Sequence, residues 1–499
     1  MKPVAALVFG MSALAGCTEA APSLRPTFEP VFPPLEGDLM TISSPDLIDL
    51  TGDGVLDIVF GTGVDRLTPE GTFSAEPAVS GYVTAVSGAT NEVLWSVPNP
   101  RDAFTTPRFA NLDRDSVPDV IMGGREGAFS AFSGVDGALL WRVAPSAIAE
   151  TPVPYNFTTP ALIRDANADG IADLVVTYGG DATRPAQAQR DPGYVAVVSG
   201  ADGAILAVSA TPDGNETYSS PVVYTRPDSA EWFIFGTGGE RHGGTAFRAP
   251  LATLLSGTFP RRVEQLIAPG TKGVMAPAVL VDLTDDHEPD IVISTFDGRL
   301  LAVDGASGGL LWEQTATNEE SYHPAAVVRL GGARTGLFVS RGIGVFPRYA
   351  GSVHRLYDAA DGRILYEYTD PYYPAGAPLA VDLTGDGIDE PFFFSERYPS
   401  AHGARIHILR LPSDSLITHD VATNFWSTPV IADARGAGTL ELIGLSWLQK
   451  ETFGPPGWRD LRWQLLRMDL GVEAPSFRGW AGYMGTNADG IYRRPPARR

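Results

Sequence analysis

The sequence predicts an all-β fold, an eight-bladed β-propeller with four antiparallel strands per blade, and three observations predict it. An acidic nine-residue stretch followed by a β-branched run recurs along the chain, first as DLTGDGVLD at Asp49–Asp57 before Ile58-Val59-Phe60. A second pattern follows it: an alternating apolar strand, a tight glycine turn, and a strand ending in Leu-Trp, as in GYVTAVSGATNEVLW at Gly81–Trp95. The two halves return together at roughly 45–60 residues, a period that signals a solenoid, propeller or array and outranks local propensity. Four short strands per repeat, arranged around an axis, leave only short protected edges.

Taken in order, full frames begin near residues 44, 106, 159, 220, 276, 323, 377 and 428. Five carry the acidic stretch: Asp49–Asp57, then NLDRDSVPD at Asn111–Asp119 and DANADGIAD at Asp165–Asp173. DLTDDHEPD at Asp282–Asp290 and DLTGDGIDE at Asp382–Glu390 complete the set. Frames from Pro221, Pro324 and Pro429 keep the strands and lose the acids. The second half recurs in sequences ending at Trp141, Ala207, Trp312 and Tyr366, with Asp-Gly or Ser-Gly turns suited to hairpins. Seven blades is the alternative count, if the last frame is divided to close the ring. The segment around Thr27–Phe32 is a candidate closing strand for the last blade. The expected organisation is a leader over 1–16, a tether over 17–38, the propeller over 39–485 and a tail over 486–499.

The chain of 499 residues carries a formal net charge of −22, which disfavours nucleic acid and anionic lipid as partners and suits a divalent cation. The N-terminus has Lys2, a short apolar core from Val4 to Leu14, and Leu14-Ala15-Gly16-Cys17. That apolar run is too short for a spanning helix and reads as a signal peptide. Small residues before a cysteine resemble the lipobox of bacterial lipoproteins, which implies acylation at Cys17 and a membrane anchor. Cys17 is the only cysteine, so no disulfide forms within one chain. Thr18 in place of an inner-membrane retention aspartate favours the outer membrane, with a periplasmic or surface-facing body expected as a monomer.

Oxygen-bearing side chains at positions 1, 3, 5 and 9, with glycine at 6, suit calcium, a hard cation taking six to eight oxygens. A strand follows instead of the helix of an EF-hand, so each loop sits between two strands. The predicted ligands, with the position-7 carbonyl, are Asp49, Thr51, Asp53, Val55 and Asp57 in the first loop. They are Asn111, Asp113, Asp115, Val117 and Asp119 in the second, and Asp165, Asn167, Asp169, Ile171 and Asp173 in the third. The last two loops offer Asp282, Thr284, Asp286, Glu288 and Asp290, and Asp382, Thr384, Asp386, Ile388 and Glu390. Ser116 and His287 replace the glycine in two loops, a strained choice wherever positive φ is needed. In the copy at Asp433, Arg435 takes a ligand position, so a side-chain cation is expected there in place of metal.

The acidic loops with their flanking strands resemble FG-GAP or VCBS repeats, the integrin-type propeller blades, and the GxxxAxxGxxGxxLW halves resemble PQQ-like repeats. The C-terminal SFRGWAGYMGTNADGIY is similar to a tail common in bacterial FG-GAP lipoproteins. The resemblance implies a propeller with structural calcium and leaves activity open, since one fold hosts many functions. PQQ is not expected, because PQQ-dependent dehydrogenases carry adjacent cysteines at the cofactor. No HExxH, GxSxG, P-loop or dinucleotide fingerprint is present.

Strand order places the acidic loops and the tight turns on one face. The long insertions at 63–80, 180–192, 341–350, 395–403 and 448–458 fall on the other, with the blade-to-blade connections. Loops on a rigid scaffold carry recognition. Tyr155, Phe157, Tyr372, Tyr373, Phe425 and Trp426 are therefore the predicted binding-face aromatics. The expected function is non-enzymatic binding of a protein or glycan. The rivals are a calcium-containing polysaccharide lyase or hydrolase and a periplasmic scaffold for outer-membrane assembly. Trp95, Trp141 and Trp312 read as packing between blades.

Overall fold

Each frame folds into one antiparallel sheet whose consecutive strands are hydrogen-bonded neighbours, giving eight blades, not seven. Blade 1 comprises Asp46–Ile48, Asp57–Thr62, Gly81–Val86 and Val93–Asn99, from inner to outer edge. Blades 2 to 7 occupy residues 108–142, 161–210, 222–265, 279–315, 326–370 and 379–421. Blade 8 takes Val430–Ala432, Thr439–Gln449 and Leu461–Glu473. The computed structural model describes residues 26–39, 41–63, 81–125, 128–148, 156–180, 188–346, 348–397, 403–425, 427–449, 461–475 and 479–494.

The second strand of a blade is covered on both faces by neighbouring blades, so Asp57–Thr62 is buried along its whole length. This explains why that strand reads as a continuous apolar run and not as an alternation. The outer strand faces water on one side, and Val93–Asn99 alternates accordingly. Trp95, Trp141 and Trp312 are each the third residue of an outer strand, not its end, and reach into the next blade. Each indole N–H donates to a backbone carbonyl there: Gly134 at 3.0 Å, Gly200 at 2.7 Å and Ala359 at 2.8 Å. The tight turns they cover contain Gly137, Gly203 and Gly362, all at φ between +72° and +75°; a methyl group at Gly203 would lie 2.8 Å from the Trp141 ring.

The ring closes through the N-terminal segment. Glu29–Pro30 and Leu35–Asp38 pair antiparallel with Leu461–Glu473 and supply the outer edge of blade 8. The predicted tether over 17–38 is thus shorter than expected, because its last part is strand. Across the same seam Leu56 N–H donates to the Ala434 carbonyl and Thr428 N–H to Ser44 Oγ.

The predicted tail over 486–499 is likewise part of the body up to the end of the described residues. Residues 479–492 run across the axis and bond the free edges of inner strands. Ala380 and Trp480 exchange both backbone bonds, Ala481 accepts from Ile431, and Gly490 and Tyr492 bracket Leu280. Arg108 of blade 2 donates to the carbonyls of Asn487 and Ala488 at 2.8 and 2.6 Å. An inner strand has one edge without a neighbouring strand, and its buried N–H and C=O groups need partners. The C-terminal segment supplies them for blades 5, 7 and 8.

Between blades 6 and 7 lies a buried polar knot. His354 bonds Ser340 Oγ and Ser352 Oγ, both at 2.9 Å, while His407 meets Asp370 at 3.1 Å. Burial drives the His354 pKa down to about 3; nearby His407 adds to the shift and Asp370 opposes it. The unfolded chain binds this proton near pH 6.5 and the folded chain only near 3, so the contribution is whole above 6.5 and lost as pH falls. We expect this residue alone to remove on the order of 2 kcal/mol of stability by pH 5. His354→Gln should flatten the dependence of the denaturant midpoint on pH between 6.5 and 4; an unchanged slope would refute the assignment.

Candidate binding face

The acidic loops and the tight turns share one face, as strand order predicts. The position-9 acid explains why. In blade 1 Asp57 is buried; its Oδ2 accepts from the N–H groups of Leu50 and Thr51, and its Oδ1 from Gly88 of the tight turn. Asp119 does the same with Leu112, Asp113 and Gly134, and Asp290 with Leu283, Thr284 and Gly305. Asp173 bonds Ala166 and Gly200. Both carboxylate oxygens thus clamp two turns of one blade, a role that spacing alone does not reveal. Burial raises the pKa of Asp119, Asp173 and Asp290.

Position 1 organises the rest of the loop. Asp49 accepts from Gly52 and Gly54, Asp282 from Asp285 and His287, and Asp382 from Gly385 and Gly387. Position 6 has positive φ at Gly54, Gly170 and Gly387 and also at His287, where the strain is real; Ser116 avoids it. Position 4 is left-handed in all five loops, at non-glycine Arg114, Ala168 and Asp285 as well.

Among the described residues no three Asp, Glu, His or Cys side chains gather closely enough to hold a metal by themselves. Hydroxyl, amide and carbonyl oxygens must therefore complete any calcium set. The blade-7 loop fits best: Thr384 Oγ1 and Glu390 Oε1, at positions 3 and 9, are buried without a hydrogen-bond partner. Burial, with Asp382 and Asp386 close by, pushes the Glu390 carboxyl up to about 8. Two side-chain cations serve this face too. Arg435 pairs with Glu441, the position-9 acid of blade 8, and with Asp469, while Arg329 reaches Asp389 and Asp382 of blade 7.

The opposite face holds the blade connections and an axial cavity of about 170 Å³. Its wall draws on a motif legible in the sequence, a large apolar residue, two hydroxyl residues and proline, at Ile42–Pro45, Phe104–Pro107, Phe157–Pro160 and Tyr218–Pro221, and on Thr428 of the copy that ends at Pro429. The first hydroxyl turns back into its own blade, as Thr105 Oγ1 bonds both N–H and C=O of Gly123. The second, at Ser44, Thr106, Thr159, Ser220 and Thr428, lines the cavity. Tyr483 of the C-terminal segment also lines it and hydrogen-bonds Ser220.

Beside the cavity runs an aromatic and acidic rim. Tyr218 donates to Glu216 at 3.1 Å, Tyr322 to Glu240 at 2.5 Å and Tyr349 to Glu320 at 2.9 Å. Lys272 pairs with Glu320 and lies over the Phe296 ring. Burial raises the Glu240 carboxyl and sends the Tyr218 and Tyr322 hydroxyls well above their ordinary range. Phe346, at the tip of the long blade-6 hairpin, is 40% exposed.

The predicted aromatics fare unevenly. Phe157 and Phe425 are fully buried: Phe157 lies between Phe129 and Tyr178, and Phe425 against Phe394 and Gly444. They are core, not face, because these connections dive between blades before emerging at the axis. Tyr372 and Tyr373 are half-buried; Arg405 lies 4.4 Å from the Tyr372 ring, and Tyr373 accepts from the Tyr349 N–H. Tyr155, Trp426 and Cys17 lie outside the described residues, as do most of the long insertions.

Comparison places the chain in a structural class. A europium-containing methanol dehydrogenase superposes with a TM-score of 0.56 at 11% identity, over 84% of this chain and 85% of that one. A quinohemoprotein alcohol dehydrogenase from Pseudomonas putida HK5 gives 0.53 at 12%, over 88% and 76%. BamB from Moraxella catarrhalis gives 0.45 at 11%, over 82% and 97%. At such identity the likeness extends to fold alone. No protein-family model and no curated protein matches the chain. The protein is an eight-bladed β-propeller.

Proposed function

We propose that this chain is a non-enzymatic binding or scaffold module of the cell envelope. In this reading acylated Cys17 anchors it to the outer membrane, calcium staples one face, and the opposite face recognises a protein or glycan. The observation that carries the reading is the asymmetry of the two faces. Carboxylate clamps occupy the acidic face, whereas the other holds an axial cavity and an aromatic rim. Loops held by a rigid ring are where recognition concentrates, and aromatic anchors dominate interface energy. The test is capture of envelope proteins and glycans by the mature chain. Phe346→Ala with Tyr349→Ala should weaken the captured complex by about 1–3 kcal/mol; unchanged affinity would reject the face.

Calcium in this reading is structural. Its supply of positive charge is what the carboxylates of the loops lack, and the chain's own oxygens would hold it. A ligand bound only to the native state stabilises by about 2.7 kcal/mol per site at a hundredfold excess over Kd. Chelation should lower the melting temperature, and Asp53→Ala should remove part of that shift while costing little in chelator. Asp290→Ala should destabilise in calcium and in chelator alike, because the clamp to Leu283, Thr284 and Gly305 is lost. A melting curve indifferent to chelator would sink the calcium claim.

One observation favours a second reading, an enzyme acting on polysaccharide. Glu240, with its raised pKa, sits with Tyr322 and the Lys272–Glu320 pair beside the cavity, an arrangement able to move a proton. Release of reducing ends or unsaturated products from a polysaccharide panel, lost in Glu240→Gln, would select it.

A further inference from the structure

We infer that the axial cavity takes a single uncharged, polyhydroxylated ligand of monosaccharide size, such as one unit of a neutral glycan. This rests on the reading of the surrounding face as the binding face and narrows it to a chemistry. Three properties of the cavity define the ligand.

The first is a set of fixed donors contributed by blades 1, 3 and 8. Ser44 Oγ accepts the Thr428 N–H at 3.0 Å, Thr159 Oγ1 the Thr106 N–H at 3.2 Å, and Thr428 Oγ1 the Ala377 N–H at 2.8 Å. A hydroxyl has one proton and two lone pairs. Each oxygen is held by a backbone donor from a neighbouring blade, and its proton has no protein acceptor among the described residues. The three hydroxyls are 2–6% exposed. Buried donors of this kind call for ligand oxygens.

The second is the absence of charge on the described wall. No Asp, Glu, Lys or Arg lines the cavity. The nearby acids Glu216 and Glu240 are capped by Tyr218 and Tyr322. Burial holds the His323 imidazole neutral, with its pKa down to about 4. An ion entering such a wall sheds water without meeting a countercharge, whereas a neutral polyol exchanges one set of hydrogen bonds for another.

The third is size and shape. About 170 Å³ corresponds to about six waters at ~30 Å³ each, or one hexose ring. Phe104, Tyr218, Tyr322 and Tyr483 offer aromatic carbon around the hydroxyls, matching the mixed C–H and O–H faces of a pyranose.

The mature chain is titrated by calorimetry and saturation-transfer NMR with neutral monosaccharides and oligosaccharides, and with hexuronic acids and sugar phosphates. A neutral sugar should bind. Ile42→Trp fills the cavity without removing a hydrogen bond and should abolish binding at an unchanged melting temperature. Thr159→Val should weaken it about tenfold, the scale of one lost hydrogen bond; if that variant does not fold, Ile42→Trp decides alone. Val135→Ala, in a tight turn on the opposite face, should leave the sugar affinity unchanged. Binding of the charged sugars only, or a neutral sugar unaffected by Ile42→Trp, overturns the inference. If no sugar binds while the Phe346 and Tyr349 variants lose a captured partner, the inference falls and the binding face stands.

Discussion

Trp141→Ala destabilises the propeller by about 3–5 kcal/mol, the range for removing a buried aromatic side chain. The indole is 5% exposed, meets the Phe129 ring edge-on with centroids 5.6 Å apart, and covers Gly203 of the next blade. Its N–H bonds the Gly200 carbonyl, so truncation also leaves a buried acceptor without its donor. Because the residue joins blade 2 to blade 3, the loss falls on the contact that makes separate sheets one cooperative unit. Gly203→Ala attacks the same contact from the other side. Val135→Ala is the control: that side chain is 59% exposed, and its loss should stay within about 0.5 kcal/mol. Denaturant midpoints check all three, and a stable Trp141→Ala would mean that the outer strands contribute little to blade cohesion.

Arg467→Ala should cost a comparable amount, about 3–5 kcal/mol, by breaking a buried ion pair on one side. Arg467 contacts Glu441 at 3.0 Å, with the two side chains 1% and 0% exposed. It also donates to the Gly88 carbonyl of blade 1 and lies over the Phe32 ring of the N-terminal segment. Blade 8, blade 1 and the closing strand therefore meet at one guanidinium. Removing it leaves Glu441 with Arg435 alone and opens the seam. Replacing Arg467 and Glu441 together with Met and Leu should recover much of the loss, since no charge is then left buried. Equal destabilisation by the single and double changes would show that packing at the seam, not the charge pair, governs closure.

The ring was legible in the sequence because two periodicities ran in phase: the acidic loop with its apolar strand, and the hairpin ending in tryptophan. The N-terminal closing strand was legible for a related reason, since the last frame has a weak second half that needs a partner. Other features depend on contacts distant in sequence. Asp57 reads as a metal ligand by spacing, and only its bond to Gly88 reveals a clamp. Residues 479–492 carry no strand periodicity, because their backbone partners are the edges of inner strands contributed by blades 5, 7 and 8. Phe157 and Phe425 sit on connections, yet the path of those connections between blades buries them. The cavity wall had a readable signal in the hydroxyl-hydroxyl-proline motif, whose role emerges only when the copies meet at the axis. Tyr322 and Tyr349 carried no signal beyond residue type.

The central claim is that recognition belongs to the face opposite the acidic loops. Hydroxyl-radical footprinting of the mature chain with its captured partner or glycan tests it most directly. Protection should concentrate on Phe104, Tyr218, Tyr322, Phe346 and Tyr349, with the acidic loops at 49–57, 111–119 and 165–173 modified as in the free chain. Protection of those loops, with the aromatic rim unchanged, would contradict it.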